Sequence, residues 1–368
     1  MATAPLIFEE DVVAKQARMQ QRLEAALGRA LAPADIEMLV ANCMVYEMQL
    51  LCISANEAVG QMLVPFSSGI MLEYLGVLVG VSRLPAQGAS CTIRFTLVSG
   101  HNDVQIPTGI RVQSIDGKAI FQTTKAVDVP IGTDTADVIA ICTTAGVVGN
   151  GYTAGKISII LDPQAFITMA ANTDLTAGGI DEETDDQLRE RISLAPASFS
   201  VAGPKGAYTF FAKSAHPSIV DVAPITTTPG TVTLYPLCEG GVLPSAEIKA
   251  LVLAKCDDNK VRPQNDTVLV DDPDVVEYAI NVQLTTYTGA INSEVLDAVN
   301  ANLQGFKDER QNKLGMDAVR SQISALAMIK DKVYNVNVVS PAADVVADEK
   351  TYAKCTGITV TIIGSNNG

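Results

Sequence analysis

The sequence predicts a multidomain α+β protein: a helical N-terminal region over residues 1–85, a small β-sandwich or barrel domain over 86–175, and two small α+β domains over 176–272 and 273–368. Three observations carry that reading. Apolar residues recur at three- and four-residue steps as far as Val81, then alternate with polar ones from Ala89 to Leu161. Beyond the acidic stretch "GGIDEETDDQLRERI" (Gly178 to Ile192), helix and strand patterns follow each other twice. At 368 residues the chain also exceeds the ~250 at which a single core stops growing.

In the helical region, Ala, Leu, Met, Gln and Glu dominate residues 9–81. Pro33 in "PADIEMLV" suits a first helical turn, and "PFSSG" (Pro65 to Gly69) breaks the run. Leu72, Leu75, Gly76 and Val79 predict a short packed helix ending at Gly80, with "SRLPAQG" as a linker. In the β region Cys91, Ile93, Phe95 and Leu97 alternate with polar residues, and Asp116-Gly117 and Asn150-Gly151 are turn signals. The first α+β round reads as a helix in "GPKGAYTFFAKSA", strands "SIVDVAPI" and "TVTLYPL" joined by "TTTPG", a helix "SAEIKALVLAKC" and a strand "DTVLV". The second reads as a strand "VVEYAINVQLTTYT", helices in "SEVLDAVNANLQGF" and "MDAVRSQISALAMI", and strands "KVYNVNVV" and "GITVTIIG".

Composition removes several function classes. With 48% hydrophobic and 18% charged residues the chain is globular, and without Trp its cores are aliphatic. A net charge of -15 without a Lys/Arg cluster argues against nucleic acid and acidic membrane surfaces as partners. Seven dispersed cysteines with no CxxC pair predict reduced thiols, folding in a cytoplasm and no zinc framework. The N-terminus "MATAPLIFEEDVVAK" lacks the pattern of a signal peptide. No membrane span is expected either: Glu73 interrupts "GIMLEYLGVLVGV", and Glu37, Asn42, Glu47 and Gln49 interrupt "IEMLVANCMVYEMQLLCI".

The acidic run fails as a calcium loop, because Asp186 and Ile192 stand where Gly and Glu are needed. A capped helix start accounts for more of its residues than a metal or catalytic site does. Thr184 and Gln187 form a capping box, Asp185 and Asp186 lie near the positive helix end, Leu188 and Ile192 share a face, and Asp185 can pair with Arg189. In "GNGYTAGK", Gly149, Gly151 and Ala154 match a dinucleotide fingerprint, yet the strand-like "KISIIL" follows where a helix is required. As a phosphate loop the same stretch is one residue too long, and Ile157 follows Lys156 in place of Ser or Thr. His101 falls in a polar turn, His216 ends a helix before Pro217, and neither has a partner at ligand spacing. No catalytic residue, cofactor or metal is therefore expected; an enzyme with a site assembled from distant residues remains the alternative.

Taken in order, "MLEYLGVLVGVSRL", "IPTGIRVQSIDGKAIF", "GGIDEETDDQLRERI", "AGPKGAY", "HPSIVDV", "VRPQNDTVLV" and "VNVVSPAADVVADE" resemble the baseplate protein J family of contractile-tailed phages and phage-tail-like particles. Gly179, Asp181, Glu183, Thr184, Asp185, Leu188, Arg189 and Arg191 match the family's Gly-Asp-Glu-Thr-Asp-Leu-Arg-Arg pattern. Ala202, Gly203, Pro204, Ala207 and Tyr208 match its Ala-Gly-Pro and Ala-Tyr. The resemblance runs from about residue 40 to 363; the polar tract "SGHNDVQ" and the lack of Trp after Ala-Tyr depart from it.

The resemblance implies a non-enzymatic baseplate wedge subunit that associates with other copies, other wedge proteins and a central hub. Such a subunit is assembled in the host cytoplasm, resides in the tail baseplate and relays baseplate rearrangement to the sheath. The acidic run would cap the helix that leaves the β domain and enters the first α+β domain. Because stable assembly contacts bury ~1,200 Å² or more, the isolated chain is expected to show apolar patches. A receptor-binding tail fibre protein is a further alternative.

Overall fold

The computed structural model describes residues 4–199, 204–258, 261–263 and 266–367. The chain divides into two compact units, Met1–Ser82 with Asp185–Ser193, and Arg83–Thr184 with Leu194–Gly368.

The first unit is helical. Helix α1 (Val12–Leu27) starts where the Asp11 carboxylate accepts the Ala14 N–H, and ends at Gly28 in the left-handed region (φ 66°). Helix α2 (Ile36–Gly60) lies against α1, with Lys15 donating to Gln49 and Gln16 to Asn42 across the pair. Pro33 does not occupy the first turn of α2. It lies in a turn closed by Asp35, which takes the N-cap position while its carboxylate accepts the Ala32 N–H. Helix α3 (Gly69–Val77) is short, and buries Leu72 and Gly76. Helix α4 (Asp185–Leu194), the acidic motif, buries Leu188 and Ile192 on one face as its spacing predicts. Its residues Asp185–Ser193 group with the N-terminal helices.

One helix bears on the expected absence of a span. Helix α2 is long and apolar enough to cross a membrane by length and composition, its most apolar 18-residue window having a mean hydropathy of 1.4. Glu37 and Glu47 are too few to break so long a run, and only 17% of that window is buried.

The second unit opens with a barrel-like sheet. Strands β1 (Ser90–Leu97), β2 (Val104–Ile106), β3 (Arg111–Ser114), β4 (Ile120–Thr123), β5 (Val127–Val129), β6 (Thr135–Cys142), β7 (Ile157–Ile160) and β8 (Ile167–Asn172) follow in sequence. Six of them form an antiparallel sheet in the order β7-β3-β4-β6-β1-β8, β7 and β8 lie close enough nearly to close it, and β2-β5 is a separate ribbon. Alternation sorts side chains by face, so Cys91, Ile93, Phe95 and Leu97 join Val112 and Phe121 in one core. Asp116-Gly117 turns the β3-β4 hairpin, Gly117 supplying a φ of 75°.

Two α+β rounds follow. The first comprises α5 (Lys205–Lys213), β9 (Ile219–Thr228), β10 (Thr231–Cys238), α6 (Ala246–Cys256) and β11 (Thr267–Val270), with sheet order β11-β10-β9. Strand β9 runs through the β-branched residues Thr226, Thr227 and Thr228, so the expected "TTTPG" turn shrinks to Pro229-Gly230. The second comprises β12 (Asp274–Tyr287), α7 (Asn292–Gln311), α8 (Arg320–Ala327), β13 (Val333–Ser340) and β14 (Thr351–Asn366), ordered β13-β12-β14. Val295, Val299, Leu303 and Phe306 of α7 share one core with Tyr278, Ile280, Val282 and Leu284 of β12, and α7 lies against β14. The protein is thus multidomain α+β, as the sequence predicts.

Candidate functional site

The acidic motif changes role between Thr184 and Asp185. Its first half straps onto the barrel. Gln87 and Ile180 exchange backbone hydrogen bonds of 2.8 and 3.0 Å, as do Ser90 and Ala177 at 2.7 and 3.2 Å. The Asn150 side chain clasps Gly179 both ways, accepting its N–H at 2.8 Å and donating to its carbonyl at 2.7 Å. Only glycine fits there: a Cβ on Gly179 would sit 2.4 Å from the Gly146 carbonyl and 2.9 Å from Asn150 Oδ1. The Asp181 carboxylate accepts the Val147 N–H at 3.0 Å. Glu183, 3% exposed, accepts the Leu84 N–H at 2.9 Å through its carboxylate, while Arg83 donates to the Glu183 carbonyl at 2.6 Å. A carboxylate this buried is tolerated where it meets a donor, here the Leu84 N–H.

The second half serves the helical unit. Thr184 directly precedes α4, with Gln187 three residues on. Asp185 accepts the Gly69 N–H at 2.9 Å, which satisfies an otherwise orphaned donor at the start of α3. Arg189 forms an ion pair with Asp186. The same guanidinium donates to the carbonyls of Val64 (3.1 Å) and Ser67 (2.8 Å), a fork that fixes the loop between α2 and α3. Arg191 is buried and donates to the Ser82 carbonyl at 3.3 Å; Leu188 is fully buried. Gly76 admits Ile192, whose Cδ1 would lie 3.3 Å from an added Cβ.

Asp181, Glu183 and Asp185 each turn to a different backbone N–H, and among the described residues no group of three or more His, Cys, Asp or Glu side chains could hold a metal ion. Of the second family match, Ala202 and Gly203 lie outside the described residues. Pro204 holds the N-cap position of α5, and Ala207 and Tyr208 are buried in that helix. The Tyr208 hydroxyl donates to Asp266 at 3.3 Å, and burial pushes its pKa up to about 12. Gly151, from the nucleotide-like stretch, is a turn residue with φ 85° that follows a single helical turn at Val147–Gly149. His216 lies beyond the end of α5, not on it, and its ring bonds to Ser218.

A second joint, between the two α+β rounds, was not foreseen. The Tyr352 hydroxyl donates to the Gly241 carbonyl at 2.8 Å, the Gly240 N–H to Asn312 at 2.7 Å, and the Leu314 N–H to Asp221 at 2.9 Å. Gly241 takes φ 71°, and a Cβ there would lie 3.0 Å from the Tyr352 ring. The Gly-Gly pair after a predicted strand was the available signal; its partners lie too far away in sequence to be paired with it.

Three domain descriptions of one family match the chain in order: the Baseplate J-like protein barrel domain at residues 92–179, the Baseplate J-like central domain at 200–271 and the Baseplate J-like protein C-terminal domain at 278–361. "Baseplate protein J" of Escherichia phage P2 is 32% identical over 185 residues, covering 50% of this chain and 61% of that protein. "Uncharacterized protein YqbT" of Bacillus subtilis (strain 168) is 25% identical over 237 residues, covering 60% and 66%. The chain thus spans less than two thirds of the length of these curated relatives. A chain in the cryo-EM structure of the anti-feeding prophage (AFP) baseplate, 6-fold symmetrised, superposes with a TM-score of 0.48 at 12% identity, over 93% of this chain and 90% of that one. With barrel, central and C-terminal domains matched in sequence order, this chain belongs to the Baseplate J-like family.

Proposed function

We propose that the chain is a structural subunit of the baseplate wedge in a contractile phage tail or tail-like injection particle. The observation that carries this is the ordered match of all three Baseplate J-like domains, together with the name of the phage P2 relative. The site chemistry supports it, since the motif spends its carboxylates and guanidinium groups on backbone donors and acceptors. Exposed apolar side chains such as Leu51 and Leu78 suit a chain that completes its burial by assembly.

In this reading the partners are other copies, other wedge proteins and the central hub, with no nucleic acid, membrane or cofactor, and no catalysis. Assembly takes place in the host cytoplasm. The mature site is the tail baseplate, whose rearrangement the subunit relays to the sheath. The domain division at residues 85, 175 and 272 belongs to the same proposal. Gly179, Asp181 and Glu183 fasten the strap to the barrel, Asp185, Leu188, Arg189 and Arg191 fasten the helices, and Pro204 and Tyr208 set the start of α5.

The test is antibody labelling of the chain on intact particles, viewed by negative-stain electron microscopy. Label confined to the tail end distal to the head or cap is expected. If accessible, denaturation-checked particles carry no label while the protein stays soluble and free, the proposal is wrong.

A further inference from the structure

Among the described residues strand β14 is bonded along one side only, since the sheet order β13-β12-β14 leaves it at an edge. Its start is covered: the Thr351 carbonyl accepts the Gly315 N–H, and Tyr352 and Ala353 are buried. From Thr356 to Asn366 none of its residues is buried. Ile358, Val360 and Ile362 face the apolar core yet stay half-exposed, so that layer stops short at the edge. Between Cys355 and Asn366 there is no charged residue and no proline. Proteins ordinarily guard such an edge with Lys, Pro or a bulge, because its free N–H and C=O groups template pairing with another chain; on β14 the register against β12 slips at Thr356-Gly357 and again at Ile363, which leaves Ile358 to Ile362 as the regular, unguarded stretch. The opposite edge, β13, has 8 residues against the 16 of β14 and is bracketed by Lys332 and Pro341.

We infer that β14 pairs antiparallel with β14 of a second copy of this chain, about a two-fold axis at Val360. This rests on the assembly role proposed above and names one of its contact surfaces. A two-fold axis perpendicular to the sheet keeps the helix-covered sides of both copies on one face, so opposed residues must share a face. Centring at Val360 sets Ile358 opposite the partner's Ile362 on the core side and Thr359 opposite the partner's Thr361 on the other. Apolar then meets apolar and threonine meets threonine, pairs that stabilise antiparallel sheets. Lys354 falls opposite the partner's Asn366, so no like charges face each other. Two copies carrying a net charge of -15 repel, which favours self-contact where neither copy brings a charge. The outward face of the joined sheet is polar and uncharged near the axis, with Asn337 donating to Gln283 there.

The test uses the purified chain and two double variants at exposed positions, followed by sedimentation velocity from low to high micromolar concentration. Thr359→Lys with Thr361→Lys sets like charges opposite each other twice across the axis. Thr359→Lys with Thr361→Glu sets opposite charges there. Wild type is expected to dimerise, the double-lysine variant to weaken dimerisation about tenfold, and the mixed-charge variant to recover it. The mixed variant is also the folding control, being equally substituted. The inference is overturned by a wild type that stays monomeric, by a dimer indifferent to both variants, or by equal loss in both. A monomeric wild type with label still at the tail tip would remove this interface and leave the baseplate role standing. Dimerisation without label would do the reverse.

Discussion

In the barrel, Ile93, Phe95, Ile106, Val112 and Phe121 keep no exposed surface, whereas in the N-terminal helices Ile36, Leu51 and Leu78 keep 76%, 70% and 79% of theirs. Both regions draw on the same aliphatic residues. What differs is geometry: a nearly closed antiparallel sheet has an interior, and alternation sends every second side chain into it. Helix α2 is apolar around much of its circumference, and α1 covers only part of it. A helix apolar on so many sides cannot be satisfied by one neighbour. The barrel therefore holds its own stability, while the helical unit holds apolar surface still open to burial.

The largest expected effect tests that contrast directly. Phe95→Ala should destabilise the barrel by about 3–5 kcal/mol, the transfer loss plus an unfilled cavity. Leu51→Ala should change stability by less than about 0.5 kcal/mol in the isolated chain, because the side chain is already in water. Urea unfolding of both variants checks this. A Leu51→Ala cost comparable to Phe95→Ala would mean that the outer face of α2 is covered in solution, and the contrast would fall.

The motif sharpens the comparison, because it serves each unit with a different chemistry. Gly179→Ala should cost about 1–3 kcal/mol, since the new Cβ meets backbone at Gly146 and cannot be relieved by a rotamer change. On the helical side, Arg189→Lys should cost roughly 1–2 kcal/mol, because an ammonium group cannot reproduce the fork to Val64 and Ser67. Asp186→Asn is the control: its side chain is 95% exposed, and losing its ion pair should cost less than about 0.5 kcal/mol. Thermal melts of the three separate these outcomes. Equal costs for Arg189→Lys and Asp186→Asn would show that the ion pair, not the carbonyl fork, holds the loop.

What was legible in the sequence follows from the range of each interaction. The barrel strands could be read because alternation from Cys91 to Leu97 and turn chemistry at Asp116-Gly117 are local. The start of α4 could be read at Thr184 for the same reason. The partner of Asp185 could not, because Gly69 lies 116 residues away and leaves no periodic trace. Nor could the need for glycine at position 179, which is set by a carbonyl from another turn. Pro33 misled because its fixed φ suits both a first helical turn and the turn before it, and the Asp35 carboxylate decides between them. The α2 surface misled in the other direction, since scattered polar residues in the sequence concealed how much apolar area the helix leaves open.

The smallest expected effect compares the two histidines, one in each kind of surroundings. His101, at the barrel, sets both ring nitrogens against carbonyls: Nδ1 lies 2.5 Å from that of Asn102 and Nε2 3.0 Å from that of Thr133. Only the doubly protonated ring donates to both, so its pKa is raised above the ordinary value, with Asp134 and Asp103 adding to the effect. His216, in the central round, is buried, and burial lowers its pKa. Its Nδ1 lies 2.7 Å from the Ser218 hydroxyl and 3.3 Å from the Ser218 N–H, which the neutral ring accommodates by accepting. The signs are opposite. The raised pKa of His101 contributes stability fully present below the unfolded value near ~6.5 and lost as pH rises through its folded value. The lowered pKa of His216 contributes stability fully present above ~6.5 and lost as pH falls towards its folded value. NMR titration of the imidazole carbons should give two curves on either side of the free-histidine midpoint, with His101→Gln removing the upper and His216→Gln the lower. Overlapping curves would mean that the carbonyl pair at His101 and the burial of His216 do not govern protonation in solution.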